Sequence, residues 1–181
     1  VVRIYYNKVP HKKLKLLCYY LECHNMNQTL PFDLPSILAN SSKLDRYQAL
    51  HIFDVEDQGH TWVLIFHHGK ANEVGSAVLN EIGQLCTDLE AKDGPQTLIS
   101  LSLRRSSKGT PIFIAGANVT ERTGWSDDKV KQHVRNQRAL LQRLRKAPVF
   151  HLCLVSGLAL GWGTEFLITA DSQRSQISVF E

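Results

Sequence analysis

Two turns built from small residues follow directly on apolar runs, and both could help to hold a developing negative charge. Residues 113–118 read FIAGAN, and residues 156–165 read SGLALGWGTE. Small side chains let a ligand approach the main chain closely, and a turn that leads into a helix leaves N–H groups without intrahelical partners. Two such N–H groups, one from each turn, could form an oxyanion hole. We therefore take these turns as the candidate site.

Glu165 ends the second turn and carries the candidate acid–base group. We expect it in the first turn of a helix, beside the proposed hole. A carboxylate there could transfer a proton, or it could serve only as the favourable negative charge at a helix start. Either turn alone could also serve only for tight packing, so the pair of turns in this order is the more specific signal.

The elements that must position these turns are predicted by apolar periodicity. Continuous apolar runs predict buried strands, and apolar residues at steps of three and four predict helices. The predicted strands are 62–66, 97–103 and 149–155, and the predicted helices are one capped by Ser76 and ended by 92–95, one at 129–146 and one at 164–169. Strands that alternate with helices in this way indicate an α/β fold.

Residues 1–59 carry no repeat and no catalytic pattern. We expect them to form an N-terminal extension, a linker or the edge of a preceding domain. Within them, residues 36–50 could form a helix, because Leu38, Leu44 and Tyr47 fall on a rough apolar stripe. The candidate site is predicted to belong to a domain at 60–181.

A family resemblance rests on these same segments. Residues 113–118, followed by Glu121, resemble the crotonase motif F-S-A-G-A-D with its nearby acidic residue. Residues 148–165 resemble P-V-I-A-A-V-x-G-x-A-x-G-G-G-x-E, and Asp171 matches the acidic residue that closes the following helix. Residues 70–72 resemble the K-x-N-A loop. The chain is thus similar to the crotonase superfamily, which includes the enoyl-CoA hydratases and isomerases.

The resemblance implies both a fold and a set of site residues. The fold would be a spiral of ββα units whose C-terminal part is missing from this chain. The substrate would be a coenzyme A thioester, with no permanently bound cofactor, and the complete protein would form a homotrimer or hexamer. Ala117 and Trp162 would donate the oxyanion-hole N–H groups, with Glu165 as acid or base. Ala71, Ala115 and Ala117 would contact the CoA moiety.

Trp162 departs from the family pattern, which almost always has glycine at this position. Its backbone N–H is retained, but a positive φ there would strain a tryptophan. Its indole could enter the core or form a wall of the acyl pocket.

The second glutamate of hydratases would lie beyond Glu181. Hydration of a 2-enoyl-CoA is therefore the first hypothesis. Isomerisation, dehydration, decarboxylation and acyl-CoA binding without catalysis are the alternatives.

The composition fits these expectations. The chain has 181 residues, of which 43% are hydrophobic, and a net charge of +4. This length suits one domain, with or without an extension. A mildly basic chain favours polyanionic ligands, of which a CoA nucleotide is one. No apolar run is long enough to span a bilayer, so we expect no membrane partner.

The cysteines indicate neither a disulfide framework nor a metal centre. Cys18, Cys23, Cys86 and Cys153 form no CxxC pair. Buried free thiols in a reducing cytoplasm are the simpler interpretation. Cys18 and Cys23 with His24 lack the spacing of a zinc finger, so no metal is predicted.

The remaining polar features are interpreted as structural. His67 and His68 end the first predicted strand and are interpreted as solvated, whereas His151 lies inside an apolar strand and is expected in the core. The basic stretch 129–146 could be a solvated helix face, or it could recognise CoA phosphates or RNA. Nucleic acid is the less favoured partner because no aromatic residues are interleaved with these charges.

Overall fold

The computed structural model describes residues 34–39, 41–55 and 60–176. The chain divides between residues 39 and 40 into two units, and helix α1 (Leu34–Ala39) belongs to the first. Cys18, Cys23 and His24 lie outside the described residues. None of the helices in the described ranges has the length and apolar character that a bilayer crossing requires.

Eight strands of the second unit form two sheets. The strands are β1 (Ser42–Lys43), β2 (His51–Val55), β3 (Thr61–Phe66), β4 (Thr97–Ser102), β5 (Ile112–Ile114), β6 (Phe150–Ser156), β7 (Leu158–Ala159) and β8 (Ser172–Gln176). The large sheet has the order β1-β2-β3-β4-β6-β8, and β5 pairs with β7 in a small sheet. Pairing is antiparallel from β1 to β3 and parallel from β3 to β8, and the small sheet is parallel.

Three helices connect these strands in a repeating order. They are α2 (Ser76–Glu90), α3 (Asp127–Lys146) and α4 (Trp162–Leu167). Strands β4 and β5 followed by α3 are repeated as β6 and β7 followed by α4. Each repeat thus places one strand in the large sheet, one in the small sheet and one helix after them. The predicted α/β class and its ββα units are both present.

The apolar face of α2 packs into the core, as its periodicity predicts. Its buried residues are Val78, Leu79, Ile82, Leu85, Cys86 and Leu89. Gly75 is the residue before the helix and supplies no side-chain cap, and Ser76 is the first helical residue rather than the predicted cap. Strand β3 is buried at every position, and β2 and β4 flank it within the sheet.

An aromatic cluster lies between the large sheet and the two turns. The ring of Phe166 on α4 lies 5.2 Å from that of Phe66 and 6.3 Å from that of Phe113. Phe66 ends β3 and Phe113 lies in β5, so the cluster joins both sheets to α4. All three side chains are fully buried. The turns therefore rest on a packed apolar base.

The helix predicted at residues 36–50 is wrong. Helix α1 ends at Ala39, and residues 42–43 and 51–55 form strands of the large sheet. The spaced apolar residues Tyr47 and Leu50 are indeed buried, but they belong to an irregular loop and not to a helix. A side chain accepts backbone N–H groups of this loop. Glu81 of α2 accepts N–H groups from residues 48, 49 and 50.

The large sheet begins before residue 60. Strand β2 pairs with β3 along its whole length, and β1 pairs with β2. The second unit accordingly starts at Asn40. The domain boundary predicted at residue 60 follows the motifs, which begin later in the chain than the sheet does.

Candidate functional site

The first turn is held by the loop that follows β3. Ala115 N–H donates to the carbonyl of Ala71 at 3.0 Å. Val74 N–H donates to Gly116 O at 2.9 Å, and Asn118 N–H donates to Val74 O at 2.9 Å. Residues 71–74 therefore run beside residues 115–118. Two of the segments in which the sequence predicts site residues are thus neighbours.

The second turn lies against the first. Leu160 N–H donates to Ile114 O at 3.0 Å. A Cβ placed on Gly161 would lie 3.9 Å from the Cα of Gly116, and one placed on Gly163 would lie 2.5 Å from Ile114 O. The distance at Gly161 is an ordinary van der Waals contact, whereas the one at Gly163 leaves no room for a side chain, so glycine at 163 permits the close approach of the two turns.

A glycine in a positive-φ conformation precedes each candidate donor. Gly116 has φ +107° before Ala117, and Gly161 has φ +50° before Trp162. Within the described part of the chain, the backbone N–H groups of Ala117 and Trp162 donate to no protein acceptor. Both predicted donors therefore have an unused N–H, on two turns that are in contact.

Trp162 avoids the backbone strain that its side chain would otherwise cause. Gly161 takes the positive φ, and Trp162 is the first residue of α4. The indole is only 4% exposed and packs against Phe166 with ring centroids 5.3 Å apart. It therefore occupies the core, which is one of the two positions that the sequence left open. Its Nε1 is buried and has no partner among the described residues.

Glu165 lies in the first turn of α4, as predicted, and its side chain is exposed. Its backbone N–H donates to Gly161 O at 3.1 Å, which ties it to the second turn. An exposed carboxylate one turn after Trp162 can reach solvent water as well as a ligand on this surface. That position is compatible with the acid–base role predicted from the sequence.

The three alanines assigned to CoA contact lie together. Ala71, Ala115 and Ala117 are each half-buried, and the Ala71–Ala115 hydrogen bond places the first two side by side. Their small side chains leave the neighbouring backbone open to a ligand. The structure contains no ligand contact, so their role stays a prediction.

Asn72 is a residue of the site whose importance the sequence pattern alone did not reveal. It is 2% exposed and has φ +56°. Its amide donates to Phe113 O at 2.7 Å and to Ser102 Oγ at 2.9 Å, and its Oδ1 accepts the N–H of His68 at 2.8 Å. A short polar residue in the left-handed region, inside the K-x-N-A match, was the available signal.

Glu121 fastens the end of the first turn to α2. Its Oε2 accepts the N–H of Ser76 at 2.8 Å, and its own N–H donates to Asn118 Oδ1 at 3.1 Å. The hydrogen bond from Ser76 lowers the pKa of Glu121 below its usual value, so the carboxylate stays charged at neutral pH.

Two further features are a buried histidine and an open groove. His151 is buried, and its Nε2 lies 2.8 Å from Ser100 Oγ, as expected for a core residue. Its burial lowers the pKa to about 4. An open groove of about 480 Å³ lies along α3 and the start of α2, and Trp125 and His133 are among its lining residues.

Comparisons with known proteins relate the chain to enoyl-CoA hydratase proteins. No family model matches the chain. Enoyl-CoA hydratase domain-containing protein 2 of Mus musculus, a mitochondrial protein, is 29% identical over 115 residues, which cover 64% of this chain and 37% of that protein. The human mitochondrial methylglutaconyl-CoA hydratase is 26% identical over 131 residues, covering 72% and 38%. The chain thus spans less than two-fifths of the length of these relatives.

Solved structures show the same fold. The enoyl-CoA hydratase of Bacillus anthracis superposes with a TM-score of 0.58 at 23% identity, covering 75% of this chain and 47% of that one. An enoyl-CoA hydratase from Shewanella pealeana gives 0.62 at 16% identity, covering 80% and 51%. These likenesses confirm the fold that the two turns predict.

Proposed function

Since this chain has the crotonase fold and is related in sequence to enoyl-CoA hydratase proteins of that superfamily, we propose that it binds an acyl-CoA thioester and polarises its carbonyl group. The proposed reaction is hydration of a 2-enoyl-CoA. Because the chain spans only part of its relatives, activity is proposed for the protein to which this domain belongs. Assembly into a trimer or hexamer and a cytoplasmic location also stay predictions.

The unused N–H groups of Ala117 and Trp162 carry this proposal. Donors that are fixed before the reaction and aimed at developing charge lower its barrier, because they need no reorganisation. The proposal is supported by the positive φ of Gly116 and Gly161, the residues before the two donors, and by the contact between the two turns. A thioester oxygen bound there would accept both hydrogen bonds.

The chemistry requires that negative charge collect on this oxygen. Addition of water to the β-carbon of the enoyl group moves an electron pair through the conjugated system to the thioester oxygen, giving an enolate. Delivery to the α-carbon of the proton that the attacking water gives up then returns the pair and completes hydration. Glu165 is the proposed base that takes the proton of the attacking water or positions it.

Small residues would admit the CoA moiety beside the hole. Ala71 and Ala115 flank the first turn and present half-buried surfaces there. Glycine or alanine at these positions lets the pantetheine chain lie against backbone. The net charge of +4 favours its phosphates without specifying which cations bind them.

Turnover of a short 2-enoyl-CoA tests the proposal. The loss of absorbance of the conjugated thioester is followed with the native protein, with Glu165→Gln and with Glu90→Gln. Removal of a proton-transfer group is expected to lower kcat about a hundredfold. Glu90 is an exposed carboxylate of α2 that pairs with Arg143, so its variant should keep native turnover.

One outcome would count against the role of Glu165, and another would count against hydration itself. Equal turnover by native protein and Glu165→Gln would remove Glu165 from the mechanism. Binding of the thioester without any turnover would indicate a non-catalytic acyl-CoA-binding module.

Double-bond isomerisation is the second candidate. One relative, enoyl-CoA isomerase/hydratase fer4 of Mycosarcoma maydis, is 34% identical over 61 residues, which are 34% of this chain. Isomerisation uses the same enolate and needs only a proton shuttle. Conversion of a 3-enoyl-CoA to its 2-enoyl isomer, without hydration of the product, would favour this candidate.

A further inference from the structure

We infer that Glu121 is a positioning residue, which holds the first turn so that the N–H of Ala117 faces the thioester oxygen. The inference rests on the proposed function, because it assigns a role within that oxyanion hole. Glu121 does not itself touch the reacting atoms. It acts through the three residues that separate it from Ala117, which are Asn118, Val119 and Thr120.

The carboxylate of Glu121 lies over the N-terminus of α2. Gly75 provides no side-chain cap there, and Glu121 Oε2 accepts the N–H of Ser76 at 2.8 Å. A Cβ on Gly75 would overlap this same oxygen. A charged acceptor at a helix start forms a strong hydrogen bond and is stabilised by the helix dipole. The contact therefore requires a glycine at 75 and a side-chain oxygen acceptor at 121, and it is strongest with a carboxylate.

The hydrogen bonds that follow fix Ala117 from both sides. Asn118 Oδ1 accepts the N–H of Glu121, and Asn118 N–H donates to Val74 O. On the other side of Ala117, Gly116 O accepts the N–H of Val74. Ala117 is the residue between these anchors, and its own N–H is not used in them. Release of the Glu121 carboxylate from Ser76 would remove the tie between α2 and the end of this segment, leaving the hydrogen bond from Asn118 N–H to Val74 O as its remaining anchor there.

A backbone N–H stabilises the developing charge only when it is correctly placed. A shift of about 1 Å at a reacting group can cost a hundredfold in rate, because directional hydrogen bonds to developing charge are lost. A carboxylate that served only α2 would affect stability alone. The two roles therefore differ in their effect on a bound thioester carbonyl.

The carbonyl itself provides the measurement. Butyryl-CoA labelled with ¹³C at the thioester carbonyl cannot be hydrated, and hydrogen bonds from the hole should move its resonance downfield on binding. The resonance is measured with folded protein in excess, so that all of the label is bound and the resonance reports the bound state alone. It is compared among native protein, Glu121→Ala and Glu121→Gln, together with the melting temperature.

Glu81→Ala is the matched control. Glu81 is also a carboxylate that accepts backbone N–H groups of a loop, those of residues 48–50, but this loop is not part of the turns. Glu81→Ala should lower the melting temperature and keep the native carbonyl shift. Glu121→Ala should lose at least half of the downfield shift, and Glu121→Gln should retain most of it because the amide oxygen can still accept from Ser76.

The outcomes separate the two hypotheses. A bound thioester with no downfield shift in the native protein would overturn the proposed oxyanion hole and this inference with it. A native shift that Glu121→Ala leaves unchanged would overturn the positioning role alone. If Glu121→Ala does not fold, Gly75→Ala replaces it, because its Cβ displaces the carboxylate without removing it, and the same loss of shift is expected.

Discussion

Gly116 and Gly161 share a conformational feature that gives the candidate site its shape. Each has a positive φ and immediately precedes a residue whose N–H is unused, Ala117 in one turn and Trp162 in the other. A residue with a side chain would be strained in this conformation. The chain thus places its flexible residue before the donor rather than at it, which leaves position 162 free to carry a large side chain.

His151 is predicted to make the fold sensitive to acid. Burial lowers its pKa from 6.5 to about 4, so the folded state keeps the ring neutral while the unfolded chain protonates it first. The stabilisation is complete above pH 6.5 and is lost as the pH falls from 6.5 towards 4. The loss should be on the order of 3 kcal/mol from this shift.

Urea unfolding at pH 7.5 and pH 5 measures this effect. The difference in unfolding free energy between these pH values should shrink in His151→Gln, which cannot take up the proton. His67→Gln is the control, because that side chain is exposed at the end of β3. An equal pH dependence in native protein and His151→Gln would show that other groups control acid stability.

At the residue scale, the sequence predicted which residues form the two turns better than it predicted their backbone conformations and distant contacts. The two turns and Glu165 were predicted because small residues and an acid follow apolar strands, which is a local pattern, whereas Ala117 and Trp162 were predicted from the family resemblance. The φ of Trp162 depends on how α4 starts, which the order of residues leaves open. The contacts of Asn72 and Glu121 join segments far apart in the chain, and no local pattern specifies such partners.

At the element scale, the close packing of α4 on β5 requires glycine at position 163. A Cβ there would lie 2.5 Å from Ile114 O, and backbone cannot yield as a flexible side chain can. Gly163→Ala should therefore destabilise the protein by about 1–3 kcal/mol, as overpacking does. It should also separate the two turns and lower thioester affinity.

Gly83→Ala is the matched control for this prediction. Gly83 also lies in a helix, α2, but its Cβ would meet only Leu140 Cδ2 at 3.5 Å. Alanine is favoured over glycine within helices, so this variant should be neutral or slightly stabilising. Thermal unfolding and thioester titration of both variants test the pair. A Gly163→Ala protein as stable as Gly83→Ala would mean that α4 has room to move.

Elements with long apolar patterns were predicted well, and the short ones were not. The periodicity of α2 extends over four turns and has one interpretation. In contrast, the spacing of the apolar residues at 44, 47 and 50 is compatible both with a helix stripe and with a loop that packs on α2. Hydrogen bonds to Glu81 and Asp88 favour the loop, and these residues lie in a distant part of the sequence.

At the scale of the whole molecule, the ββα repeat places each kind of strand in a different environment. Every second strand from β4 onward joins a sheet of six strands, whereas β5 and β7 pair only with each other among the described residues. The proposed site lies in the turns that leave the small sheet, and its fixed base is the aromatic cluster around Phe166. Positioning of the donors therefore depends on both sheets.

This arrangement predicts unequal protection of backbone amides against hydrogen exchange. Strands β3, β4 and β6 each have hydrogen-bonded neighbours on both sides, so their amides should exchange only when the unit opens globally. Amides of β5 and β7, and those of the donors Ala117 and Trp162, should exchange through local openings and therefore much faster. Exchange followed by mass spectrometry or NMR gives this order directly. Saturation with butyryl-CoA should slow Ala117 and Trp162 selectively, because bound thioester would accept their hydrogen bonds, and unchanged exchange at both residues would contradict the proposed donors.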